Sequence, residues 1–213
     1  MRKMSILNKG KFITFEGIDG CGKSTQVKMI VDRLKEVDLD VVTIREPGGT
    51  RISESIRDIL LYRDTHELSG RTEALLMTAS RAQVTKEVII PSLDNGKWVI
   101  ADRYADSTLA YQGGGRKITI DWLEKINQFA TYDIAPDLTF FIDILPDEGK
   151  KRQKTKLDRI EQAGIDFQAR TRDLYLKLAK KYSNRYFIVD GHEKIEVIND
   201  IIWSEIIKRL LEN

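Results

Sequence analysis

Short runs of consecutive apolar residues alternate along this chain with longer stretches in which apolar side chains recur every three or four positions. Lys11 to Glu16 (KFITFE), Asp40 to Arg45 (DVVTIR), Lys97 to Ala101 (KWVIA), Leu138 to Ile142 (LTFFI) and Tyr186 to Val189 are of the first kind and predict strands. Helical spacing covers about Lys23 to Glu36, 52–61, 71–90 and Ile195 to Leu211. Strands apolar at nearly every position are covered on both faces. The expected fold is therefore α/β, a three-layer arrangement with a five-stranded parallel sheet between helices. Ligands of such sheets bind at the carboxyl ends of the strands, and Glu16, Arg45, Asp102 and Asp143 all stand at or just past such ends.

With 213 residues, no internal repeat and no Pro/Gly/Ser linker, the chain reads as a single domain over 1–213. Its 35 Lys and Arg against 33 Asp and Glu leave a net charge of +2, which argues against a nucleic-acid partner. No window is apolar for long enough to span a membrane. The basic start Met1-Arg2-Lys3-Met4 lacks the apolar stretch of a secretory signal. The single cysteine, Cys21, suits a reducing cytoplasm.

The first strand runs into Gly17-Ile18-Asp19-Gly20-Cys21-Gly22-Lys23-Ser24, followed by Thr25. This matches G-x-x-x-x-G-K-[ST] between a strand and a helix, the context that makes the motif a phosphate-binding P-loop. Its glycines allow backbone N–H groups to point inward as an anion nest, and the helix start adds partial positive charge. Lys23 is expected to reach the β- and γ-phosphates of ATP, with Ser24 placed for Mg²⁺. Cys21 reads as a small residue that fits the loop, or as a thiol of lowered pKa at a helix N-terminus.

A P-loop holds phosphates without deciding their fate. A GTPase switch needs an N-K-x-D segment, and none occurs. The favoured alternative is a compact phosphotransferase with a mobile basic lid at about 146–160. Lys150, Lys151, Arg152, Lys154, Lys156 and Arg159 crowd this segment, and an arginine there would meet the charge on a transferring phosphoryl group. Asp102 can hold Mg²⁺ together with Ser24, while Arg103 faces phosphates. Glu73, Met77 and Arg81 share a helix face. Tyr111-Gln112-Gly113-Gly114-Gly115 is expected to be a flexible loop whose aromatic and amide groups can read a base. His66 and His192 lie outside these motifs and read as surface residues. A kinase with another acceptor and a P-loop protein of regulatory role stay open on these residues alone.

Six segments, ITFEGIDGCGKSTQ (13–26), TIREPGGT (43–50), RTEALLMTASRAQ (71–83), ADRYADSTLAYQGGGR (101–116), PDLTFFID (136–143) and LDRIEQ (157–162), together resemble the thymidylate kinase family. The resemblance implies a P-loop NTPase fold and a cytoplasmic homodimer that phosphorylates dTMP to dTDP with ATP and Mg²⁺, feeding dTTP synthesis in de novo and salvage pathways. It also implies residue roles. Asp19 meets the sugar 3′-hydroxyl and the metal-bound acceptor phosphate. Glu46 and Arg57 stand near that phosphate, and Arg103 clamps it. Arg81 contacts thymine, Thr108 and Gln112 read the base, and Tyr111 fills the space of a 2′-hydroxyl. With no arginine in its P-loop, the chain resembles the bacterial subgroup in which the lid supplies the catalytic cation. Arg152 is the first candidate, ahead of Lys154 and Lys151. One departure is Met77, where the family usually stacks a Phe on thymine.

Overall fold

In the computed structural model, which describes residues 10–62, 68–153 and 158–212, five strands form one parallel sheet. They are β1 (Phe12–Glu16), β2 (Val41–Arg45), β3 (Trp98–Asp102), β4 (Leu138–Asp143) and β5 (Tyr186–Asp190), in spatial order β2-β3-β1-β4-β5. Alternation along the strands divides the core. Ile13, Phe15, Trp98, Ile100, Phe140 and Ile142 pack on α1 (Lys23–Glu36) and α9 (Ile195–Ile206). Phe12, Val99, Ala101 and Phe141 point the other way. That second face is covered by α2 (Arg51–Leu61), α3 (Gly70–Val84), α4 (Ile90–Asp94), α5 (Ala105–Thr108), α6 (Ile120–Thr131) and α8 (Ile165–Lys181).

All five strands lie within a residue of their expected bounds, and α1 matches its expectation. The 71–90 helix differs. α3 passes through a π-helical turn, Thr85–Ile89, into α4, so the helical path continues to Asp94. Pro91, lacking an N–H, stands in the first turn of α4, directly after the π-helical turn. α6 and α8 lie outside the helical stretches read from the sequence.

The larger correction concerns 109–115. These residues form a π-helical segment, Leu109–Gly115, that is buried rather than a flexible loop. Its glycines are there for close approach. A Cβ on Gly114 would lie 2.6 Å from the Arg170 carbonyl oxygen, and one on Gly115 would lie 2.3 Å from the Phe167 ring. Both neighbours belong to α8, so the glycines let two backbones meet. Tyr111 and Gln112 are thereby carried on a rigid element.

Strand β1 is central in the sheet, with β3 and β2 on one flank and β4 and β5 on the other. The P-loop leaves β1 at this switch point, where a crevice is expected.

Candidate active site

A cavity of about 740 Å³ opens at the carboxyl ends of β1, β2 and β3. On its P-loop side lie Asp19, Gly20, Gly22, Lys23, Ser24 and Thr25, whereas Gly17, Ile18 and Cys21 are not part of the wall. Ile18 and Cys21 are instead core residues, 1% and 2% exposed. The Cys21 side chain packs into the cluster beneath α1, which makes it the small residue that fits the loop rather than an accessible thiol. Gly22 caps α1 with φ 97°, a left-handed conformation that favours glycine.

Lys23 is buried, and its ammonium donates to the carbonyl oxygens of Gly17 (3.1 Å) and Ile18 (3.0 Å). These are exchangeable bonds to neutral acceptors, so a phosphate oxygen can replace them. The Ser24 hydroxyl donates to Asp102 Oδ2 at 2.5 Å. A hydroxyl beside a carboxylate at the mouth of a phosphate loop is a hard-oxygen donor pair of the kind Mg²⁺ takes, with water and phosphate completing the shell. Among the described residues no cluster of three or more His, Cys, Asp or Glu could form a cage of its own.

Arg103 is the organising cation. It follows β3 with φ 74°, an uncommon conformation for a residue bearing Cβ. The guanidinium donates to the Gly17 carbonyl (2.9 Å), to Asp19 Oδ1 (2.5 Å) and to the Tyr111 hydroxyl (2.8 Å). Tyr111 in turn donates to Asp19 Oδ2 at 2.9 Å. Burial would raise the Asp19 carboxyl, but the charges of Arg103 and Lys23 and the bonds from Tyr111 and Gln168 outweigh it, leaving Asp19 below its ordinary range. Burial and the Asp19 charge push the Tyr111 hydroxyl far up, so it stays a neutral donor.

Behind Arg103 lies Glu16, which no residue-level reading singled out beyond its place at a strand end. It is fully buried and accepts from Tyr104 N–H (2.8 Å), Ser107 (2.6 Å) and Tyr175 (2.7 Å). Burial first, then the Asp106 charge, raise its pKa to about 7. The backbone bond from Tyr104 holds the turn that gives Arg103 its unusual φ. Asp143, the other strand-end acid, is engaged by a bidentate pair with Arg172 (2.6 and 2.8 Å) and is not in the wall.

At the far end stand Met77, Arg81, Thr108, Tyr111 and Gln112. Arg81 is 1% exposed, and four hydrogen bonds and an ion pair hold its guanidinium. Its partners are Glu46 (twice, 2.8 and 2.6 Å), Thr108 (2.8 Å), Asn127 (2.7 Å) and the Tyr104 carbonyl (3.0 Å). It lines the cavity with its guanidinium held by protein partners. Burial, opposed by Arg81, raises the Glu46 carboxyl, and its buried Oε1 has no hydrogen-bond partner among the described residues. Arg57 donates to the Pro47 carbonyl at 2.7 Å and also faces the cavity, as do Arg45 and Ser107.

The lid region is partly described. α7 (Pro146–Arg152) packs directly on the P-loop: a Cβ on Gly149 would lie 2.5 Å from the Asp19 carbonyl oxygen. Arg152 ends this helix, lines the cavity and donates to the Gly191 carbonyl at 3.0 Å. Lys150 and Lys151 are exposed and outside the wall. Lys154 and Lys156 lie outside the described residues, as does His66. Arg159 is not a free lid cation, because it is bound to Glu73 (2.6 Å) and to the Leu60 carbonyl (2.9 Å). His192 is at the surface but paired with Asp190 and Glu148. Asp158, Ile160 and Glu161 complete the wall on this side. Their signal was in the segment LDRIEQ, though not as site residues.

The model of the family described as thymidylate kinase matches residues 15–202. A thymidylate kinase of Thermoanaerobacter sp. (strain X514) is 43% identical over 205 residues, covering 95% of this chain and 100% of its own. One from Fervidobacterium nodosum is 47% identical over 189 residues, covering 88% and 94%. The crystal structure of a thymidylate kinase from Ehrlichia chaffeensis superposes with a TM-score of 0.78 at 34% identity, covering 93% of this chain and 98% of that one.

Proposed function

Because the chain belongs to the thymidylate kinase family, we propose a residue-by-residue account of how its cavity transfers the γ-phosphoryl group of ATP to dTMP, the reaction that makes it a phosphotransferase yielding dTDP. The observation that carries this account is a cavity with the P-loop lysine at one end, Arg103 along its wall and Met77, Thr108, Tyr111 and Gln112 at the other.

ATP phosphates occupy the nest at 17–25, and Lys23 exchanges its two carbonyl partners for β- and γ-phosphate oxygens. Ser24 and Asp102 would hold Mg²⁺, which would supply neutralising charge beside the phosphates. dTMP sits with its phosphate against Arg103 and Arg57, its sugar beside Asp19 and Tyr111, and its base between Met77 and the Thr108–Gln112 wall. Glu46 keeps Arg81 in place at the recess, and Arg81 borders the base by its planar face. A phosphomonoester is largely dianionic at neutral pH, its second pKa being about 6, so the acceptor oxygen needs no general base. The chemical difficulty is bringing two polyanions together. Fixed cations around the cavity meet it, since their charges are in place before the phosphoryl group moves. Arg152, which lines the cavity, is the lid cation assigned to the transferring group, ahead of Lys151, which is not in the wall.

The 213 residues work as one domain in the cytoplasm; among the described residues no helix is long and apolar enough to cross a membrane. They pair as a homodimer through α2, α3 and α6, whose Ile52, Leu75, Trp122 and Phe129 are exposed apolar residues. Coupled ADP release measured across nucleoside monophosphates tests the account. Turnover that requires dTMP, and falls when Arg103 is replaced, supports it; equal turnover with every monophosphate overturns the assignment of the recess.

A further inference from the structure

The recess read above as the base pocket has a fixed hydrogen-bonding polarity. Gln112 is almost fully buried, and its Nε2 donates to Glu73 Oε1 at 2.9 Å. Glu73 is completely buried. It also accepts two bonds from Arg116 (3.1 and 2.9 Å) and one from Arg159 (2.6 Å). Two guanidinium groups keep this carboxylate ionised: burial alone would raise its pKa, and the bonds from Arg116 and Gln112 with the charges of Arg116 and Arg159 bring it below the ordinary value. An ionised carboxylate accepts only. Turning the Gln112 amide over would set oxygen against oxygen beside a buried charge, so the amide is locked. Its Oε1 has no partner among the described residues and remains for the cavity that Gln112 lines.

Thr108 supplies the opposite polarity one helical turn earlier. Its hydroxyl oxygen already accepts from Arg81 at 2.8 Å, and its proton has no acceptor among the described residues. The recess therefore offers one acceptor and one donor. A lactam edge, a ring N–H beside a carbonyl, satisfies both, as in thymine. The same edge of cytosine has a ring acceptor beside an amino group and is mismatched twice.

We propose that Glu73 is a specificity-determining positioning residue: by holding the Gln112 amide in one orientation, it makes the acceptor pocket select lactam bases and reject amino-pyrimidines. Glu73 touches no substrate itself. It also ties the selecting amide to Arg159, on the stretch just after the lid, so the base reader and the end of the lid share one anchor.

This inference rests on the recess being the dTMP base site, and the test separates the two. kcat and KM are measured for dTMP and dCMP with the full chain and with Glu73→Gln, which can pair with Gln112 in either orientation. Because removing the anion strands two guanidinium groups, the double variant Glu73→Gln/Arg116→Gln is run in parallel, with thermal unfolding as the check on folding. The expected result is a fall of about tenfold or more in the ratio of kcat/KM for dTMP over dCMP, carried by a rise in KM for dTMP. If both nucleotides lose the same factor, Glu73 is merely structural and the inference fails, while the base site stands. If the unaltered protein shows no preference for dTMP over dCMP, the base site itself is misplaced, and the inference fails with it.

Discussion

Glu16 permits a quantitative test of how the site is held together. Its carboxyl has an ordinary value of 4.5 and is raised to about 7 in the folded protein, with burial as the first cause and Asp106 as the second. Asp106 is itself paired with Arg185 at 2.7 and 2.9 Å, so the surrounding charges are largely balanced. A carboxyl whose folded value lies above its unfolded value binds protons more tightly when folded. Its contribution to stability is fully present below pH 4.5 and is lost as pH rises through about 7. At about 1.4 kcal/mol per unit, the loss amounts to roughly 3 kcal/mol.

Replacing Glu16 with Gln preserves size and removes the titration. Denaturant unfolding of both proteins from pH 5 to pH 8.5 gives a difference curve in which groups common to both cancel. The stability advantage of the unaltered protein over Glu16→Gln should shrink by about 2 to 3 kcal/mol across that range. Activity should follow through Arg103, because Tyr104 N–H, one residue on, is bonded to Glu16. A flat difference curve would refute the reasoning: it would mean that the three donors facing Glu16 compensate its burial completely.

Four further outcomes are expected. Gly149→Ala places a Cβ 2.5 Å from the Asp19 carbonyl oxygen, so α7 must move off the P-loop. Steady-state kinetics should show a higher KM for ATP, and calorimetry a loss of about 1–3 kcal/mol. Arg103→Lys keeps the charge but cannot reach Gly17, Asp19 and Tyr111 together, and kcat/KM for dTMP should drop by about a hundredfold; a loss of only a few-fold would contradict the clamp. Met77→Phe adds an aromatic face worth roughly 0.5–1.5 kcal/mol, so the dTMP KM should fall about three- to tenfold. Phe129→Asp puts a charge on a side chain that is 85% exposed in the isolated chain; sedimentation should show a dimer shifting to monomer, with thermal stability otherwise maintained.

The parallel sheet, its five strands and the phosphate loop were all legible in the residues, because each rests on local pattern. A buried strand needs a run of apolar side chains, and a P-loop needs its glycines, lysine and hydroxyl at fixed spacing. The three-dimensional fold alone decided which polar groups became partners. Gly113 to Gly115 look like a hinge in sequence, yet they are close-approach residues because α8, some fifty positions on, lies against them. Arg81 looks like a free donor until Glu46, Thr108, Asn127 and Tyr104 engage its guanidinium. Arg159 looks like one more lid cation until Glu73 claims it. Hydrogen bonding saturates: a guanidinium has five protons and an amide has one donating end. What a side chain can still offer a substrate depends on which distant groups have already occupied it, and no spacing along the chain records that.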